Sequence, residues 1–157
     1  MEYKCAMLVV KDMEKTKAFY TSLMGLEVIS DLGVNVGFTG GLAAQLEASW
    51  AEFTNTDPSL FQYGGHDMEL YFETMDFDGF VTKAKDAGAE IVSESVMPYG
   101  QKVLRIYDPD KHIVEVGEDM GVMVRRMAGE GMTKAQISEK TFMPPEAIDQ
   151  LMNGPVG

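Results

Sequence analysis

Gly25-Leu26-Glu27-Val28-Ile29-Ser30 returns further along the chain as Gly88-Ala89-Glu90-Ile91-Val92-Ser93, with only like-for-like changes. Each copy closes a helix-like stretch that follows a short apolar run and an aspartate, Asp12 in the first case and Asp76 in the second. A repeat of about sixty residues describes two small modules, each too thin to bury its own apolar face, that share a core. Any ligand is expected where the two copies face one another.

Working outward from the first copy, Cys5-Ala6-Met7-Leu8-Val9-Val10 is rich in strand formers, and Met13, Thr16, Phe19, Tyr20 and Leu23 then recur at helical spacing. Gly25 closes that helix as a C-cap. Leu26–Ser30, residues 34–39 and Leu42–Glu47 read as three strands between Gly-containing turns. The second copy keeps the order: strand Glu69–Thr74, helix Phe77–Ala87, strand Glu90–Ser93, then strands Gln101–Tyr107 and His112–Gly117 around Asp108-Pro109-Asp110-Lys111. The fold class is therefore α+β, two βαβββ modules at residues 3–51 and 67–118, joined by a polar linker from Glu52 to Gly65.

Residues 119–157 form a different kind of sequence. Asp119–Ala128 reads as a helix, Thr133 and Gln136 have capping-box spacing for a second, and Glu146–Met152 follows Pro144-Pro145 as a third. The spacing is that of a helix-turn-helix, but the last helix carries Glu146 and Asp149. An extension for packing or dimerisation is expected, and with it the option of a ligand-sensing protein that acts through these helices.

Charge sharpens this. The chain has 157 residues and a net charge of −12; Arg125, Arg126, Lys134 and Lys140 balance Glu130, Glu139, Glu146 and Asp149, so the whole excess belongs to residues 1–121. Such a field opposes nucleic acid and anionic membranes and favours a cation. No run approaches the ~18 apolar residues of a membrane helix, and Met1-Glu2-Tyr3-Lys4 opens no secretion signal, so a cytoplasmic protein is expected. The single cysteine, Cys5, excludes an internal disulfide and a cysteine-rich zinc site, leaving a buried thiol, a lone ligand or a nucleophile.

Val10-Lys11-Asp12, Lys17-Ala18-Phe19-Tyr20, Leu23-Met24-Gly25-Leu26, Asp76-Phe77-Asp78, Ala87-Gly88-Ala89 and Asp108-Pro109-Asp110 together resemble the vicinal oxygen chelate superfamily, over about residues 3–118. That superfamily includes glyoxalase I, bleomycin-resistance proteins, fosfomycin-resistance transferases and extradiol dioxygenases. The resemblance implies paired βαβββ modules around an open, barrel-like cleft, commonly a homodimer, with one metal ligand on each of four strands in the metal-dependent members. Through the repeat those positions become Cys5, Gln45, Glu69 and Glu115, a set without histidine, so the cofactor is either none or a divalent metal ion.

Strand alternation sets Met7 beside Cys5, Tyr71 beside Glu69 and Glu47 beside Gln45, with Leu8, Val10, Leu70 and Phe72 facing the helices. A carboxylate at Glu115, between Val114 and Val116, needs a cation, a donor or a proton. Arg105 on the neighbouring strand is one candidate partner, and Glu69 is another, as the second half of a proton-sharing pair acting as general base. Trp50 at the rim, with Tyr71, Tyr99, Met7, Gln45, Glu47 and Arg105, would line a ligand site. The expected function is binding of a small molecule in the cleft between the modules, with a cation favoured by the charge. The alternative is a glyoxalase-type lyase or isomerase that uses a metal or the carboxylates Glu115 and Glu69.

Overall fold

A computed structural model describes residues 1–154. The chain divides into two compact units, residues 1–68 with 107–113, and residues 69–106 with 114 onward.

In the first unit β1 (Ala6–Val10), α1 (Met13–Ala18), β2 (Val28–Asp31), β3 (Asn35–Phe38) and β4 (Leu42–Leu46) follow in order. Their sheet runs β1-β4-β3-β2, with β1 parallel to β4 and the other pairs antiparallel. Leu8 and Val10 are buried while Met7 is exposed, the alternation expected of a strand with one covered face. Asp12 caps α1 by accepting from the Lys15 N–H at 3.1 Å. The helix then widens into a π-helical turn at Phe19–Leu23, in which the Met24 N–H reaches back five residues to Phe19. Gly25 ends the segment at φ +76°, the left-handed conformation that a C-cap glycine supplies without strain.

Tyr20, in that turn, is fully buried against Phe38 and donates its hydroxyl to Asp108 Oδ2 at 3.0 Å. Asp108 Oδ1 accepts from the backbone N–H groups of Asp110 and His112, its Oδ2 meets His112 Nδ1, and Asp110 Oδ2 accepts from the Lys11 N–H. The Asp-Pro-Asp turn is thus fixed by buried, satisfied carboxylates, which is what makes their burial tolerable. Desolvation and the adjacent Asp108 charge hold the Tyr20 phenol well above its ordinary range, so it stays a donor.

One element departs from the sequence reading. The strand expected to reach Glu47 stops at Leu46, and Glu47–Thr54 forms a helix, α2, that takes in the start of the expected linker. Glu47-Ala48-Ser49-Trp50-Ala51-Glu52 contains good helix formers with an acid in the first turn. Ser49 Oγ fastens the junction by donating to the Leu46 carbonyl at 2.9 Å.

The second unit repeats the plan with β5 (Glu69–Thr74), α3 (Phe77–Asp86), β6 (Glu90–Val96), β7 (Lys102–Tyr107) and β8 (Ile113–Glu118). Its strand order, β5-β8-β7-β6, is that of the first sheet. The two βαβββ modules read from the repeat are therefore present. Asp76 caps α3 as Asp12 caps α1. Leu104, Ile106, Val114 and Val116 supply buried side chains from the centre of the sheet.

Three helices complete this unit: α4 (Met120–Gly129), α5 (Lys134–Thr141) and α6 (Pro145–Asn153). Met123, Val124, Met127, Ile137 and Ile148 form their core, and Tyr99 packs against it. Thr133 and Gln136 make the capping box that opens α5. Arg126 locks α4 to the sheet, its Nε and Nη2 donating to the two oxygens of Glu118 at 2.9 and 2.7 Å and its Nη2 also to the Gly100 carbonyl. Among the described residues no helix is long and apolar enough to cross a membrane.

Two substitutions should move stability in opposite directions. Gly100 adopts φ +102°, and a Cβ there would meet the Met127 methyl, so Gly100→Ala is expected to cost about 2 kcal/mol or more in urea unfolding. Phe142 turns the chain between α5 and α6 at φ +60° and is 88% exposed, so Phe142→Gly relieves strain without losing packing. It should stabilise by about 0.5–1 kcal/mol.

Candidate functional site

The open face of the second sheet carries the chemistry. Period two along β5 sends Glu69, Tyr71 and Glu73 outward, all three exposed, while Leu70, Phe72 and Thr74 turn the other way and are half-buried. On β8 the same face holds Glu115 and Gly117, and on β7 it holds Arg105.

Arg105 joins the two carboxylates. Its Nε donates to Glu69 Oε2 at 2.9 Å and its Nη2 forms an ion pair with Glu115 Oε2. Glu115 is only 5% exposed, and its Oε2 accepts no hydrogen bond from any other described residue. Burial pushes the Glu115 carboxyl above its ordinary range, Arg105 pulls against that and Glu69 adds to it, with burial the largest effect. The hydrogen bond to Glu69, with the Glu115 charge adding to it, raises the Arg105 guanidinium further, so it is permanently charged.

A second network borders the first. Gln101, fully buried, donates from Nε2 to the Tyr71 hydroxyl at 2.7 Å and to the Glu118 carbonyl at 2.8 Å, and accepts from the Tyr99 hydroxyl at 2.8 Å. Tyr71 in turn donates to Glu73 Oε1 at 2.8 Å. Gly117 makes room for this, since a Cβ there would sit 2.6 Å from Gln101 Nε2. Partial burial, with the Glu73 bond adding to it, pushes the Tyr71 phenol up to about 12. Tyr99 is also raised, by burial first and then by the Glu115 charge.

The candidates from the first module lie in the first unit. Met7 is exposed on the open face of β1, just after the half-buried Cys5. Gln45 on β4 is buried opposite its cross-strand partner Asn35, whose Nδ2 donates to Gln45 Oε1 at 2.9 Å, while Gln45 Nε2 donates to Ser49 Oγ at 3.0 Å. Glu47 does not continue the strand beside Gln45; as the first residue of α2 it accepts from the Tyr63 hydroxyl. Trp50 is likewise on α2 and half-buried. A shallow groove of about 470 Å³ runs over this sheet, bounded by Cys5, Met7, Ile29, Asn35 and Gly37.

Sequence reasoning missed Glu73, Gln101, Asn35 and Ser49. Glu73 continues the period of Glu69 and Tyr71 and was findable from it. Gln101 and Asn35 act through cross-strand neighbours, for which the linear sequence gives no signal.

A model of the glyoxalase-like domain matches residues 3–121, and the chain belongs to that family. Among solved structures, a protein of unknown function from Agrobacterium tumefaciens is 31% identical, with 76% of this chain and 95% of that chain covered at a TM-score of 0.67. A glyoxalase/bleomycin resistance protein/dioxygenase family enzyme from Burkholderia phytofirmans shares the fold at 16% identity, covering 75% and 98%, with a TM-score of 0.66. A lactoylglutathione lyase, also from Agrobacterium tumefaciens, is 24% identical over 73% of this chain and 90% of that one, at a TM-score of 0.58. Comparison with curated proteins gives no match.

The positions that the resemblance implies for a metal fall as Cys5 and Gln45 in the first unit and Glu69 and Glu115 in the second, and within each unit the amide and carboxylate donors already have partners. Both ends of the Gln45 amide are engaged by Asn35 and Ser49, and both carboxylates are engaged by Arg105. Among the described residues no three of His, Cys, Asp and Glu group so as to hold a metal ion.

The raised Glu115 carboxyl sets a pH dependence. Between the ordinary glutamate value of 4.5 and the raised one, the folded state keeps a proton that the unfolded chain releases, so stability falls as pH rises through that window. Glu115→Gln carries no titrating group there. The difference in melting temperature, variant minus wild type, should therefore become more positive as pH rises from the ordinary glutamate value of 4.5. A flat or falling difference in parallel thermal melts would contradict it.

Proposed function

We propose that this chain binds a small organic cation on the open face of its second sheet. The observation that carries the reading is the charge of that face: Glu69, Glu73 and Glu115 stand against the single guanidinium of Arg105, beside a Tyr71 that is 50% exposed. A surplus of carboxylate next to an exposed phenol ring suits an ammonium or amidinium group attached to an apolar body. The net charge of −12 raises the local concentration of such a ligand before contact. Several structural neighbours carry bleomycin resistance protein in their family name, which agrees with a small-molecule-binding reading.

One observation favours a second reading, a lyase or isomerase of the glyoxalase kind. Glu115 is held above the ordinary carboxylate range, which would suit a general base that takes a proton beside a carbonyl. Arg105 weakens this reading, because its ion pair occupies one of the two oxygens that could accept the proton and its charge lowers the proton affinity of the group.

Calorimetric titration with a set of aromatic ammonium compounds and their neutral isosteres tests the first reading. A cation should bind with its neutral isostere at least about tenfold weaker, and Glu73→Gln should weaken the cation about tenfold, equivalent to ~1.4 kcal/mol. Equal affinity for charged and neutral members would sink the proposal, and turnover of a bound compound that Glu115→Gln abolishes would favour the enzyme.

A further inference from the structure

Arg105 on β7 reaches past the neighbouring strand to β5. The strand order β5-β8-β7 places Glu69 two strands away, about 9–10 Å across the sheet, with Glu115 on the strand between. To donate to Glu69 at 2.9 Å, the Arg105 side chain must extend over β8, and so over Glu115. The guanidinium therefore pairs with two carboxylates, one nearly inaccessible and with no other donor at its Oε2, the other 39% exposed on its side chain. A lysine could not do the same, since a single ammonium lacks the planar fork that faces two acceptors from separate nitrogens.

We propose that Arg105 is the resident cation of this face: its guanidinium stands between Glu69 and Glu115 where a divalent ion would otherwise bridge them, and the carboxylate pair is a guanidinium site. The arrangement supplies one positive charge to two carboxylates, leaving a single net negative charge. It also explains how Glu115 can remain buried on a strand centre, where an uncompensated carboxylate would be strongly disfavoured. The inference concerns the protein's own cation and holds whether or not an organic ligand binds.

Removing the side chain should leave a vacancy of guanidinium shape. In Arg105→Ala, millimolar guanidinium chloride should raise the melting temperature by roughly 3–5 °C at about ten times its dissociation constant. Sodium and tetramethylammonium at equal ionic strength should give no such rise, and Arg105→Ala/Glu115→Gln should lose the response. The wild type provides a readout that needs no variant: after incubation with nickel, zinc or manganese and dialysis, it should retain substoichiometric metal and an unchanged melting temperature. Stoichiometric metal in the wild type that Glu115→Gln removes would overturn the proposal, as would a folded Arg105→Ala that responds no better to guanidinium than to sodium.

Discussion

A carboxylate cannot stay inside a sheet without something to answer its charge, and in the second unit that constraint falls on Glu115. Burial raises its proton affinity and Arg105 lowers it, so the group sits between two pressures. Much of the surrounding face follows from the compromise. Arg105 must lie along the sheet to reach both Glu115 and Glu69, and the open surface beside it is left to Tyr71 and Glu73. Gly117 leaves space for Gln101, which ties Tyr71 to Tyr99 and so to the helices that end the described chain.

The two sheets use one topology for different ends. The first fixes its polar groups among themselves, Gln45 with Asn35 and Ser49, and presents a groove over Met7, Ile29 and Gly37. The second presents ionised side chains. A duplicated scaffold thus holds a neutral surface in one copy and a charged one in the other, and the difference lies in a few outward positions rather than in the strands. Function in such a fold is carried by the site and not by the architecture.

How much of this was legible beforehand follows from the range of each interaction. The repeat fixed the register between copies, so the order of strands and helices, the capping aspartates Asp12 and Asp76 and the outward row Glu69, Tyr71 were readable from local pattern. Arg105 beside Glu115 was readable because their strands adjoin through a short turn. That Arg105 also spans to Glu69 was not, since it depends on β8 lying between β5 and β7. Residues 47–54 read as a strand end and a linker because helix propensity there competes with an apolar run that ends in alternation, and the Ser49 and Tyr63 bonds decide it. Tyr20 and Asp108, bonded across 88 positions, have no local signature at all.

Glu115 is a buried carboxylate answered by one guanidinium, and titration of its side-chain carbon by ¹³C NMR reads that directly. The account predicts an apparent pKa above the ordinary glutamate range in the wild type, and a further rise when Arg105 is replaced by alanine. A value at or below the ordinary range, unmoved by loss of Arg105, would contradict it.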